Sequence, residues 1–168
     1  VDTTAPGIPY GNPLAAGTAL ELLTNSDTGR LSSDRIIGQN TGFSIRGLAH
    51  DGTRLIGLRL YNPNGTSTDL GTLSFSDSAH WTYTYTGSAL ADGNYTLRAR
   101  AMDLAGNWSA ESVALNFSID TSPPAALTAP SFTGASDSGL SSTDGITNLT
   151  SSLVVSGVAA PSAQVRLL

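Results

Sequence analysis

The 168-residue sequence has no cysteine and no lysine, and it has only two glutamates, two histidines and one methionine. Without cysteine there is no disulfide, no zinc–thiolate centre and no thiol nucleophile. Eukaryotic secreted domains of this size often carry disulfides, so the absence leans towards a bacterial surface protein or a cytosolic one. All eight basic residues are arginine and they face thirteen acids, a formal net charge of −5. A nucleic-acid partner, which needs a basic footprint, is therefore not expected. No apolar run approaches the roughly 18–20 residues that span a bilayer, so membrane insertion is not expected either. His50 and His80 fall in separate segments, and the sequence has no G-x-S-x-G elbow, H-E-x-x-H pair or phosphate-cradling glycine loop. With Glu21 and Glu111 the only glutamates, a buried acid/base pair would have to be built from aspartate. The sequence predicts no enzyme and no catalytic residue.

Glycine, serine, threonine and aspartate are plentiful: there are 18 glycines, and eleven of the thirteen acids are aspartate. Aspartate prefers turns and metal loops to helices. The hydrophobic period is two. "HWTYTYT" sets Trp81, Tyr83 and Tyr85 on one face and Thr82, Thr84 and Thr86 on the other. "YTLRARAM" turns Tyr95, Leu97, Ala99 and Ala101 inward with Arg98 and Arg100 outward, and "VALNFSI" does the same with Val113, Leu115, Phe117 and Ile119. "FSIRGLA", "LIGLRLY" and "TLSFS" supply further strands, and "HDG", "NPNG", "ADGN" and "DLAGN" supply the turns. Six or seven short strands with turns every 8–12 residues predict an all-β fold, an Ig-like antiparallel β-sandwich of Greek-key type. Tyr95 stands just after a turn at the start of a strand, where a tyrosine corner belongs, and Trp81 is placed as a core plug. The Trp/Tyr face could instead stack sugar rings, but its alternation with threonine favours burial.

The sequence repeats itself. "VDTTAP" at Val1–Pro6 returns as "IDTSPP" at Ile119–Pro124, 118 positions on. "SDTGRLSSD" at Ser26–Asp34 returns as "SDSGLSSTD" at Ser136–Asp144, 110 positions on, and "FSIRGLA" returns at the same shift as "LVVSGVA". The difference of eight predicts an insertion within "YGNPLAAGTALELL" of the first copy. The chain thus reads as one complete repeat, residues 1–118, and the N-terminal part of a second, truncated repeat at 119–168, in tandem order. About three strands' worth of sequence follows Thr121, so Ser131–Leu168 is expected to be poorly ordered or completed by a neighbouring chain.

Two aspartates seven apart in a Gly/Ser/Thr loop have two readings. Asp-Ser-Gly is ordinary turn chemistry and needs no ion. Alternatively, Asp27 with Asp34, and Asp137 with Asp144, converge on Ca²⁺, which takes six to eight oxygens at about 2.3–2.6 Å. Short carboxylates bring charge close to turn carbonyls, and Gly29 and Gly139 let the loop bend. Asp2 and Asp120 in the proline-stiffened linkers, and Asp103 with Asn107 in the "DLAGN" turn, are further candidates. Repetition, together with the resemblance given below, favours Ca²⁺ at one or more of these eight positions, whereas Asp51, Asp69, Asp77 and Asp92 read as solvated turn residues.

"DTTAP", the "D-S/T-G…D" loop and "Y-x-L-x-A-x-A-x-D-x-A-G-N" at Tyr95–Asn107 together resemble the bacterial Ig-like tandem repeats of very large, biofilm- or RTX-type surface adhesins. The resemblance implies export by type I secretion, an extracellular place on the bacterial cell surface, and a role in biofilms and adhesion. It also implies modules that stack end to end as extenders, with Ca²⁺ as cofactor near the junctions. The partners would be neighbouring repeats of the same chain, with any surface glycan or host and matrix component bound by other domains. On this reading carboxylates from a linker, the "DLAGN" turn and the next module's acidic loop share ions. One departure is that Gly38 stands where the second copy has Asn148, so equal ion affinity in the two loops is not expected. Two alternatives stand beside it: a module that itself binds a glycan or host protein, and an accessory sandwich of a secreted polysaccharide-active enzyme.

Overall fold

The computed structural model describes residues 1–9, 20–50, 52–74, 80–161 and 163–166. Most of the stretch assigned to the insertion, and both Asp51 and Asp77, lie outside the described residues. The chain forms two compact units, Val1–Ser122 and Pro123–Leu168.

Ten strands are described: β1 (Glu21–Leu22), β2 (Ile36–Ile37), β3 (Ser44–Leu48), β4 (Thr53–Tyr61), β5 (Ser67–Ser74), β6 (His80–Thr84), β7 (Gly93–Asp103), β8 (Leu115–Ile119), β9 (Ser131–Phe132) and β10 (Val155–Ser156). In the first unit they make a three-stranded sheet, β1-β3-β6, and a five-stranded sheet, β2-β8-β7-β4-β5. The period-two pattern explains why these sheets face each other. Along β7, Tyr95, Leu97, Ala99 and Ala101 are all buried, while Arg98 and Arg100 between them are half-exposed. Ile56, Leu58 and Leu60 of β4 and Phe117 of β8 join them from the same sheet, and Ile45 and Trp81 close over them from the other. Each fully buried large apolar side chain of this kind contributes about 1.5–3 kcal/mol. Phe43 and Tyr85 stack at 5.1 Å, and Tyr95 and Phe117 at 5.7 Å. Trp81 and Tyr85 are therefore core, and Tyr83 is partly buried. The tyrosine corner is formed: the Tyr95 hydroxyl donates to Ala91 O at 2.9 Å.

Two details depart from the expected pattern. Val113 is 48% exposed. Before β8 begins at Leu115, Ser112 turns inward instead and its hydroxyl accepts the Ala99 N–H. One pairing is parallel, that of β2 with β8. It arises because the chain leaving the acidic loop runs up the free edge of β8 in the same direction.

In the second unit β9 and β10 pair with Phe132 opposite Val155 and Ser131 opposite Ser156. These are the partners of Leu22–Ile45 and Glu21–Arg46 in the first unit, displaced by 110. Leu153, Val155 and Val158 stand where Phe43, Ile45 and Leu48 stand, but they are 47%, 45% and 70% exposed against 5% or less. The strand that packs on the larger sheet in the first unit is bare here.

Candidate functional site

The two acidic loops are one structure built twice. In the first, the N–H groups of Ser26 and Asp27 donate to Leu23 O, and the Ser26 hydroxyl accepts the Ser44 N–H at 2.8 Å. In the second, Ser136 and Asp137 donate to Thr133 O, and the Ser136 hydroxyl accepts the Val154 N–H at 2.8 Å. Asp27 Oδ2 accepts from Arg35 N at 3.1 Å, and Asp137 Oδ2 from Gly145 N at 3.2 Å. Asp34 and Asp144 do a smaller, local job, each closing a turn by accepting the N–H two residues on, at 3.1 and 3.0 Å. Gly29 and Gly139 are needed for room rather than for bending: a Cβ there would come within 2.5 Å of Ile36 O and 3.0 Å of Ile146 O.

Asp27 and Asp137 are 6% and 5% exposed, and in each the second carboxylate oxygen, Oδ1, is buried without a hydrogen-bond donor among the described residues. A buried carboxylate oxygen without a donor is costly, and a water or a cation beside it would offset that cost. Carboxylate, hydroxyl and carbonyl oxygens suit a hard ion such as Ca²⁺ rather than a transition metal, but Arg35 and Arg46 also line the cleft beside Asp27. Among the described residues, however, no three His, Cys, Asp or Glu side chains converge. An ion held by Asp27 or Asp137 would complete its shell with backbone and water oxygens. One carboxylate with backbone and water oxygens would make at most a weak calcium site.

The linker candidates gather at the two ends of β7. At one end Asp103 Oδ1 accepts the N–H groups of Ala105 and Asn107 at 2.8 and 2.9 Å, and Oδ2 accepts the Asn107 amide at 3.0 Å. The same amide donates to Asp2 O at 3.1 Å and reaches Thr4 O at 3.5 Å, so the "DLAGN" turn grips the leading linker. The Asp2 carboxylate closes its own turn by accepting Thr4 N–H, as Asp120 does with Ser122 N–H. At the other end, beside Gly93, Asp92 accepts from Thr121 N–H, the Thr121 hydroxyl and the Ser122 hydroxyl at 2.9, 2.7 and 2.6 Å. The Asn107 bond foremost holds the Asp103 carboxyl below its ordinary value of 3.8, and the Ser122 hydroxyl foremost does the same for Asp92.

Asp2, Asp103 and Asn107 are thus brought together, Asp2 through its carbonyl. Asp27 and Asp34 are not with them. Their loop runs into β2 beside Ser118 and Ile119, and the Asp120 N–H donates to Ile37 O at 3.0 Å. The acidic loop therefore belongs to the end where the trailing linker leaves, a strand's length from the leading one. Asp92 and Asp69 are exposed, as the sequence suggests, but each has a partner: Asp92 binds the linker, and Asp69, which lies in β5 rather than in a turn, pairs with Arg59 at 2.9 Å. The cue for Asp92 lay in Thr121 and Ser122, 29 and 30 residues away.

The described residues contain no helix long and apolar enough to cross a membrane. No curated protein matches the chain. Among solved structures, the PKD domain of an M14-like peptidase from Thermoplasmatales archaeon SCGC AB-540-F20 is similar at 14% identity and a TM-score of 0.39, covering 69% of this chain and 96% of its own. The profile of the bacterial Ig-like domain family matches residues 14–121, well over half of the sequence. With its two facing sheets, its tyrosine corner and that match, the chain belongs to the bacterial Ig-like domain family.

Proposed function

We propose that this protein is a structural extender module of a bacterial cell-surface adhesin, exported by type I secretion, stacked in tandem and stiffened by Ca²⁺ near its junctions, in support of adhesion or biofilm formation. The observation that carries the reading is the fixing of the two linkers at opposite ends of one strand. Asn107 holds the leading linker at the Asp103 end of β7, and Asp92 holds the trailing linker at the Gly93 end. A module gripped in this way passes the chain, and any pull on it, from one pole to the other. At about 3.3–3.4 Å per residue, β7 sets those poles roughly 34 Å apart. No catalytic role is assigned to it.

Calcium would act where the acids are. A module's acidic loop lies with the linker that leaves it, so an ion there would draw on Asp27 or Asp137, on loop carbonyls and on the trailing linker, here Asp120. Asp103, Asn107 and Asp2 would serve the opposite pole. Arg35 and Arg46 line the cleft beside Asp27, and the second copy has Gly145 and Ser156 at those positions. The second loop should therefore hold the cation more tightly. Extracellular modules bind at about 10⁻⁴–10⁻³ M, so such sites fill outside the cell and stay empty in the cytosol.

Thermal melting tests this reading. With a Kd of about 10⁻⁴ M, roughly 10 mM CaCl₂ adds about 2.7 kcal/mol, a rise in Tm of roughly 5–10 °C. Asp27→Asn combined with Asp137→Asn should remove the share of the rise that the acidic loops supply while leaving the Tm in chelator close to that of the parent. A parent Tm that calcium does not move would defeat the calcium reading.

A further inference from the structure

The outer face of the larger sheet carries a feature that the extender role does not use. Across β4 and β7, Gly57 lies opposite Arg100 and Arg59 opposite Arg98, and Arg59 also faces Asp69 on β5. After β7 the chain folds back along that strand. The Ser109 and Ser112 N–H groups donate to Ala101 O and Ala99 O at 2.8 and 2.7 Å, and their hydroxyls accept the N–H groups of the same two alanines. This double clasp holds Trp108 and Glu111 over the outer face. The indole leans over Gly57, where a Cβ would come within 3.2 Å of it, and the Arg100 guanidinium carbon lies 4.4 Å from the ring centroid. A cleft of about 190 Å³ results.

The charges in the cleft are not equally occupied. Asp69 binds Arg59 at 2.9 Å. Glu111 takes the Tyr61 hydroxyl at 2.9 Å and lies 3.8 Å from Arg98 Nε. Arg98 also donates to Ser112 O at 2.8 Å. Arg100 has no carboxylate within 4.0 Å among the described residues; its guanidinium is stacked on the indole with its donors left over. Three arginines against two carboxylates leave the cleft positive on a chain whose formal charge is −5. That selects an anion. The fork of a guanidinium matches a carboxylate, and a half-exposed indole beside it offers apolar surface to the C–H face of a sugar ring. The volume is below the roughly 300 Å³ at which pockets enclose a drug-sized ligand, so it suits one ring of a chain lying across the sheet.

We propose that this cleft binds a uronate residue of an acidic polysaccharide, with Arg100 pairing with the carboxylate and Trp108 packing against the ring. An acidic peptide would satisfy the charge but has no ring to set against the indole. The proposal is independent of the calcium reading, and the assay is run in chelator so that no ion bridges acidic loops to the sugar.

The test titrates the 168-residue chain with trigalacturonate, with a neutral trisaccharide and with hexaglutamate, by calorimetry and by the indole N–H resonance of Trp108 in NMR. Trigalacturonate alone should bind, in the range of about 10⁻⁴–10⁻³ M expected for so few contacts, and more weakly at high salt. Arg100→Gln, shown by an unchanged Tm to be folded, should weaken it about tenfold or more. Trp108→Leu gives a second reading through the ring contact and should also weaken it. No heat and no Trp108 shift at about 10 mM trigalacturonate would overturn the proposal. So would an affinity unchanged in Arg100→Gln, or equally tight binding of hexaglutamate, which would assign the cleft to acidic peptides.

Discussion

Arg35 and Gly145 occupy the same place in the two acidic loops, and both have positive φ, 61° and 74°. At each the N–H is the donor to the buried aspartate. An arginine in that left-handed conformation is strained by about 1–2 kcal/mol, and a glycine in its place gives back some of this as unfolded-state entropy. Arg35→Gly should therefore stabilise the protein by about 0.5–1 kcal/mol, visible as a higher urea midpoint with an unchanged slope. It would also remove a cation from the neighbourhood of Asp27. The spacing of Asp27 and Asp34 was legible in the sequence because it recurs. Their unequal roles were not, since burial of one and exposure of the other depends on how the loop lies against β3.

Among the elements, the strands were the most legible part, because alternation in "YTLRARAM" and "LIGLRLY" follows directly from one buried and one wet face. The exposure of Val113 was not legible, because a serine can replace a strand's backbone partner and the pattern then slips by one. Nor was the role of Asp92, whose "ADGN" setting reads as a plain turn. Its clamp and that of Asp103 have a pH signature. Both carboxyls have pKa values below 3.8, and a group whose pKa falls on folding adds stability above its unfolded value and loses it as pH drops through the folded one. The two linker clamps should hold at neutral pH and release below about pH 4. Melting temperatures measured from pH 7 to pH 2.5 should fall most steeply below pH 4, and Asp92→Asn together with Asp103→Asn should flatten that fall.

On the scale of the whole molecule, the family match over residues 14–121 agrees with the Ig-like reading, and the recurrence of the acidic loop in the sequence returns in its hydrogen bonds. The placement of the acids at the poles was not legible. Which end of a module holds its acidic loop depends on the direction of β2 along β8, and a parallel pairing of two residues leaves no mark in the sequence. The resulting arrangement puts acidic loop and trailing linker at one pole, and the "DLAGN" turn and leading linker at the other. On the proposed reading, modules joined this way would bring acids of one pole to acids of the next, so that repulsion would loosen the junction and a divalent ion would tighten it. Small-angle X-ray scattering on a chain of two complete repeats, compared in millimolar CaCl₂ and in EGTA, tests that claim most directly. The account predicts a longer maximum dimension and a rod-like profile with calcium, and a shorter, broader distribution without it. Superimposable curves in the two conditions would contradict it.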